Sequence, residues 1–449
     1  MSIIKNLKEL NNKKLDFFTT PSHSQKPAFK TILGKNYYKY DVSEMDGLDD
    51  LNNPQGCILE LNEKIKDIYS SGYSHILTNG STQGILALML ATLKKDDKVI
   101  CAVNSHKAVH NGLILTGAMP IWVYPQFNNQ YGVYTTISTS KLEKTIKDNL
   151  DAKCVIITNP TYDGAISNIE KIAQICKEHD IILIVDEAHG GLWNFDRTLG
   201  SPAILSGADA SVQSLHKTCG AINSAAIVHL SLTSKITKTK LIDAINLIAT
   251  TSPSFPVIAN VEETISYLNS KQGRNKLYKL TQNLMNLISK IKEFEYLDIY
   301  YANNDITKLL IHPTNITAEE FNDILYKKFK IECEIMHKNA LTFVCGLGTS
   351  EKKLKKLLKA LNYANKISKK REILPIEEIT TIEKSMLLTP FKAYRADYEE
   401  VSPKDAVGKI CAQFITTYPP GIPVLTYGEL ICEKHLDYLS PENKIRIVK

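Results

Sequence analysis

At 449 residues the chain exceeds what one compact core usually holds, so two domains are the starting expectation, with room for a further segment. Hydrophobic residues at 43% and charged residues at 23% mark an ordinary globular protein, and the net charge of +6 is small and scattered through helical patterns, which argues against nucleic acid as a partner. The nine cysteines include no C-x-x-C pair, no signal-peptide core precedes residue 20, and no stretch reaches the ~18 apolar residues of a membrane span, so the chain reads as cytoplasmic and without a membrane partner.

Residues 1–70 read as an irregular leader or arm, rich in acids and turn formers around Asp41–Leu51, closed by a helix over Cys57–Ser70. A large domain follows over 71–295. Seven short apolar runs punctuate it, at His75–Thr78, Lys98–Val103, Met119–Val123, Lys153–Thr158, Ile181–Val185, Ala208–Ser211 and Ala225–Leu230. Helical patterns such as Ser81–Leu93 and Ile169–His179 separate most of them. Near-continuous apolar strands alternating with helices predict a mostly parallel seven-stranded sheet covered on both faces. Long helical patterns over Ser234–Thr250 and Val257–Lys290 end this domain.

From 296 to 449 the pattern predicts a smaller α+β C-terminal domain with a tail. Strands are expected at Lys308–His312, Cys333–Met336 and Leu341–Cys345, and helices at Ala318–Phe329 and Ser350–Asn362. A charged linker spans 366–371. The run Tyr418-Pro419-Pro420-Gly421-Ile422-Pro423 is a rigid connector, since proline suits neither a helix interior nor a central strand.

The chemistry concentrates in a few places. Ser214-Leu215-His216-Lys217-Thr218 puts a lysine just after a buried strand, where an unpaired ammonium is costly and a neutral amine becomes a nucleophile. Upstream, Ile181–Val185 runs into Asp186, at the strand end where open α/β sheets place their ligands. A lysine and an aspartate so arranged suit pyridoxal 5'-phosphate (PLP). The amine binds the cofactor's aldehyde, and the carboxylate keeps the pyridine nitrogen protonated. Asn79-Gly80-Ser81-Thr82 offers a strand end, a glycine turn and the first turn of a helix, which suits a phosphate, although the same residues serve an ordinary helix cap. Ser214 and His216 could donate to that phosphate. His106 opens the helix after a strand and could stack on a flat ring. With His110 it has zinc-pair spacing, but the glutamate of H-E-x-x-H is missing. No G-x-x-x-x-G-K-[ST] loop accompanies Asp186-Glu187-Ala188-His189, so a helicase reading fails.

Taken in order, these segments resemble the Orn/Lys/Arg decarboxylase family, fold type I PLP enzymes of the aspartate-aminotransferase kind, in its short form without a wing domain. Further matches are Gly47–Leu51, Asn104–Lys107, Asn159–Gly164, Thr250–Ser254 and Tyr418–Pro423. The resemblance implies that Lys217 holds PLP, that Asp186 faces its ring nitrogen and that His106 stacks on the ring and aids protonation. It implies a phosphate site from Ser81, Thr82, Ser214 and His216, and a place for His189 near cofactor and substrate. Thr250 and Ser252 would reach across a dimer interface, so a homodimer or a larger homo-oligomer is implied. The chain departs from the family at Thr19–Ser24, which lacks the glycine and lysine of the usual His-x-Pro-Gly-His-Lys element, and at Cys219, Gly220 and Asn223.

The expected reaction is α-decarboxylation of a small basic amino acid. Arginine, giving agmatine for polyamine synthesis, is the leading substrate, with lysine or ornithine as alternatives. Acids near the pocket mouth would read the cationic side chain, with Glu44, Asp46, Asp49, Asp50 and Glu429 as candidates. A fold type I aminotransferase is the competing class. It would need an arginine clamp for the α-carboxylate, for which Arg395 is the C-terminal candidate.

Overall fold

The computed structural model describes residues 2–368, 382–416 and 423–449, with the Lys35 side chain excepted. Residues 369–371 of the charged linker and Tyr418–Ile422 of the proline-rich run lie outside the described residues. Seven strands form the main sheet: β1 (Tyr73–Leu77), β2 (Lys98–Ala102), β3 (Met119–Val123), β4 (Cys154–Thr158), β5 (Ile182–Asp186), β6 (Ala210–Ser214) and β7 (Ala226–Leu230), in the order β1-β7-β6-β5-β4-β2-β3. Of these, β7 alone runs against its neighbours. The central strands β4 and β5 are apolar on both faces because both are covered. Val155 and Leu183 face one helical layer with Leu142, Ile146 and Ile172, while Ile156 and Ile184 face the other with Leu88, Val109 and Leu241. The parallel strands therefore deliver their C-terminal ends to one edge.

The single helical pattern expected after residue 257 is two helices, Phe255–Asn269 and Lys271–Ile291. Ser270 turns extended (φ −76°, ψ 157°) and its hydroxyl accepts from Gly273 N at 3.1 Å, capping the second helix. A β-carbon on Gly273 would lie 1.9 Å from the Tyr267 carbonyl oxygen, so only glycine fits this tight reversal.

The smaller unit is a four-stranded antiparallel sheet of Leu297–Ile299, Lys308–Pro313, Leu341–Val344 and Ile335–Met336, backed by the helix Glu351–Ser368. The leader joins it. Asp16–Phe18 pairs in parallel with Ile331–Cys333, and the buried Phe18 packs edge-on against Phe343 at 6.1 Å. Residues 382–449 add a separate core of Ala406, Cys411, Leu425, Ile431, Ile445 and Ile447, under an antiparallel pair of Tyr398–Val401 and Ile445–Val448.

Two histidines are buried where β1 meets β7. His229 accepts or donates one hydrogen bond with Ser74 Oγ at 2.7 Å and stacks on Tyr69 at 4.4 Å. Burial lowers its pKa to about 3; burial, then Lys238, lowers that of His75 to about 4. Both fold as neutral rings. As pH falls below 6.5 the unfolded chain takes up protons that these rings refuse, so stability is lost down to the folded pKa. His229→Gln keeps a polar partner for Ser74 without titrating. The urea midpoint of that variant should fall less steeply between pH 6.5 and 4.5, by about 1.4 kcal/mol per pH unit in unfolding free energy. An unaltered slope contradicts the assignment.

Candidate active site

Lys217 sits in a single helical turn, Leu215–Thr218, directly after β6. Its Nζ lies 3.1 Å from His189 Nε2 and 5.7 Å from the centre of the Tyr162 ring. Burial lowers its pKa from the ordinary lysine value, while Asp186 and Glu334 pull it back up. His189 is buried, and burial followed by the charges of Lys217 and Lys308 keeps its pKa well below the usual histidine value. Its neutral Nε2 can thus accept from Lys217, and the Tyr162 ring lies 4.5 Å from its own.

Asp186 closes β5, buried, with Oδ1 accepting from Ala188 N at 3.1 Å. His106 is the N-cap of the helix Lys107–Thr116. Its Nδ1 accepts from Ala108 N at 3.1 Å, which fixes the ring while its face stays open to the cavity. The enclosing protein lowers its pKa, with the Asp186 charge opposing. Lys217, Asp186, His106 and His189 thus line one cavity of about 200 Å³ at the strand ends.

Ser81 and Thr82 lie in the first turn of the helix Gly80–Thr92, where Gly80 takes a left-handed φ of +69°. Ser214 Oγ donates to Ser81 Oγ at 2.9 Å, so two of the four phosphate candidates meet at this N-terminus. His216 turns its Nδ1 to the Ala225 carbonyl at 3.3 Å, and burial pushes its pKa down to about 4. None of these four borders the cavity itself. The leader locks the lysine's turn from the far side: Ser22 N donates to the His216 carbonyl at 3.0 Å, and Gly220 N donates to Ser22 Oγ at 3.0 Å.

The remaining candidates are elsewhere. Thr250 and Ser252 are exposed, bonded to each other at 3.2 Å, and away from the cavity of their own chain. Glu44, Asp46 and Asp50 are exposed on the leader and do not line it either. Asp49 does not line the cavity. Its carboxylate accepts from the backbone N–H groups of Gln55, Gly56, Ile58 and Leu59 at 2.8–3.2 Å, capping the helix Cys57–Tyr69. Burial alone would raise its pKa, but these donors outweigh it and hold the carboxyl below its usual value. Asp49→Ala should therefore cost about 1–2 kcal/mol of stability by urea unfolding, with the substrate KM unmoved; a selective KM change would return it to the site. Glu429 does not line the cavity either. It is fully buried, its Oε2 accepting from Lys384 Nζ at 2.9 Å and Thr426 N at 3.0 Å, and only Lys384 reaches the cavity wall.

A family model described as the Orn/Lys/Arg decarboxylase major domain matches residues 3–338, and one for the C-terminal domain matches 375–446. The chain belongs to the Orn/Lys/Arg decarboxylase family. Among its relatives, the arginine decarboxylase of Halalkalibacterium halodurans is 28% identical over 95% of this chain and 90% of that protein. The arginine decarboxylase of Bacillus subtilis is 27% identical over 94% and 89%. The constitutive lysine decarboxylase of E. coli superposes with a TM-score of 0.80 at 18% identity, over 93% of this chain and 76% of that one. The fold is that of the fold type I PLP enzymes, and this Orn/Lys/Arg decarboxylase is a PLP-dependent amino-acid decarboxylase.

The site fits that cofactor. Asn104 Oδ1, Ser105 Oγ, Thr158 Oγ1 and His189 Nδ1 are buried around the cavity without a hydrogen-bond partner among the described residues, a set of polar atoms that a ligand would satisfy. Lys217 would hold the aldehyde, Asp186 the ring nitrogen, His106 a ring face, and Ser81, Thr82, Ser214 and His216 the phosphate. Bound there, PLP supplies an electron sink for the bond to the departing carboxylate. The protein does the rest. Asp186 would face the ring nitrogen with its carboxyl group, His189 accepts a hydrogen bond from Lys217 Nζ, and Lys217 Nζ or His106 would return a proton to the substrate α-carbon. Phe127, Val133, Tyr134 and Val424 wall part of the cavity with apolar or aromatic surface, which would limit water around a bound substrate.

Sequence reasoning gave no role to Tyr162, Asp163, His337, Lys384 or Tyr438, all of which line this cavity. Asp163 and Tyr162 stood inside a quoted motif, which was a usable signal. His337, Lys384 and Tyr438 lie in segments with no pattern of their own.

Proposed function

We propose that this decarboxylase removes the α-carboxylate of arginine, giving agmatine for polyamine synthesis, as a homodimer in the cytoplasm. The observation that carries the chemistry is Lys217 Nζ, bonded to His189 and sharing one cavity with Asp186 and His106. The choice of arginine is supported by relatives named for it at 27–28% identity, against 21% for the constitutive lysine decarboxylase of E. coli. The dimer is supported by exposed apolar residues on the leader, Tyr38 and Met45 among them, and by the outward position of Thr250 and Ser252. Among the described residues no helix is long and apolar enough to cross a membrane.

The aminotransferase alternative lacks its clamp. Arg395 is exposed above the Phe391 ring at 5.6 Å, and no arginine lines the cavity among the described residues. The deciding experiment incubates the purified protein with PLP and arginine, lysine or ornithine in turn, and identifies the amine and CO2. Agmatine should form fastest. Faster cadaverine or putrescine formation reassigns the substrate, keto-acid formation reassigns the class, and silence with all three rejects the proposal.

A further inference from the structure

A basic amino acid brings two charged ends into this cavity besides its amine. The α-carboxylate leaves, but the cation at the end of the side chain stays, and among the walls of Phe127, Val133 and Val424 an unpaired cation is costly. Some acid has to receive it. Among the described residues only two carboxylates line the cavity, Asp186 and Asp163. Asp186 belongs to the cofactor's ring nitrogen. Two other nearby acids, Glu334, which accepts from Thr20 N at 2.6 Å and from the Tyr162 hydroxyl, and Glu429, buried against Lys384, do not line it.

We infer that Asp163 is the residue that binds the cationic end of the substrate side chain, and that His337 is its positioning residue. This rests on the decarboxylase reading and names the specificity determinant within it. His337 Nε2 at 2.7 Å and Thr342 Oγ1 at 2.5 Å both donate to Asp163 Oδ1, which leaves Oδ2 as the oxygen for a ligand. The Asp163 side chain is 9% exposed and that of His337 4%, and both residues line the cavity. Its backbone is equally fixed. Gly164 N donates to the Thr161 carbonyl at 2.9 Å, and Gly164 adopts a φ of +97° where a β-carbon would lie 2.6 Å from Asn304 Oδ1. A carboxylate held by two donors and a rigid turn is preorganised for a guanidinium or ammonium.

The test uses PLP-loaded protein and steady-state CO2 release. Asp163→Asn should raise the KM for arginine about 10–100-fold, the loss that goes with one charge-assisted hydrogen bond, with a smaller change in kcat and an unaltered cofactor absorbance. His337→Gln should raise KM by less. If Asp163→Asn does not fold, Asp163→Glu carries the test. Its longer arm should shift the ranking of arginine, lysine and ornithine toward the shorter side chain. A KM within twofold of the parent for Asp163→Asn, or an unchanged ranking for Asp163→Glu, overturns the inference while leaving the activity in place. A parent enzyme that releases CO2 from none of the three overturns the functional reading first, and this one with it.

Discussion

Lys217→Ala should abolish the visible absorbance of the lysine-bound cofactor and lower CO2 release by at least about 10³-fold, because on the proposed reading one side chain would serve both as the covalent anchor and as a proton donor. The surroundings make this lysine suited to both tasks. Burial favours its neutral amine, and the neutral Nε2 of His189 can accept a hydrogen bond from it without competing charge. Added methylamine should restore part of the lost turnover by supplying an external amine. Full activity in the variant, or an unchanged absorbance, places the anchor on another residue. The fold should tolerate the change, since the Leu215–Thr218 turn is held through the His216 and Thr218 backbone by Ser22 and Leu347, not through the lysine side chain.

Lys308→Met should destabilise the protein by about 3–5 kcal/mol in urea unfolding, since it leaves a buried carboxylate without its cation. Lys308 Nζ reaches Asp305 Oδ2 at 2.8 Å, Thr307 Oγ1 at 2.9 Å and the His189 carbonyl at 2.7 Å, with side chains 0% and 2% exposed for the ion pair. Trp193 Nε1 donates to the same Asp305 oxygen at 3.0 Å. This network ties the small sheet to the loop that carries His189, so activity should fall with stability. The pair Lys308→Met with Asp305→Leu should recover part of the loss, because apolar replacement of both partners removes the stranded charge. If the double variant is no better than the single, the stranded charge is not the cause.

The legibility of this chain followed the range of the interactions involved. The strands around Ile156 and Ile184 could be read directly, since a two-faced sheet needs apolar residues at every position and each run carries its own signal. Lys217, Asp186 and His106 each stand at the end of such a run, so reading the strands also located them. Asp163 was visible as a motif residue, but its hydrogen bond to His337 joins positions far apart in the chain and has no local signature. The same holds for Glu429, whose pairing with Lys384 turns a plausible pocket acid into a buried brace. Asp49 looked like a pocket acid because its role as a cap depends on the backbone amides of residues 55–59, which composition does not show. The break at Ser270 was missed because its helical periodicity continues on both sides and only a serine hydroxyl marks the gap.

The leader has a consequence for biosynthesis. Thr20 binds Glu334 across 314 positions of sequence, and Asp16–Phe18 waits for Ile331–Cys333. At roughly 5–20 residues per second, the ribosome takes about 15–60 s to deliver those partners after the first strand has emerged. During that interval the Phe18 ring and an unpaired strand edge face the cellular milieu, and the turn around the reactive lysine lacks its N-terminal clasp. The nascent chain can therefore build its sheet early but can close this clasp only after residues 331–334 have been made.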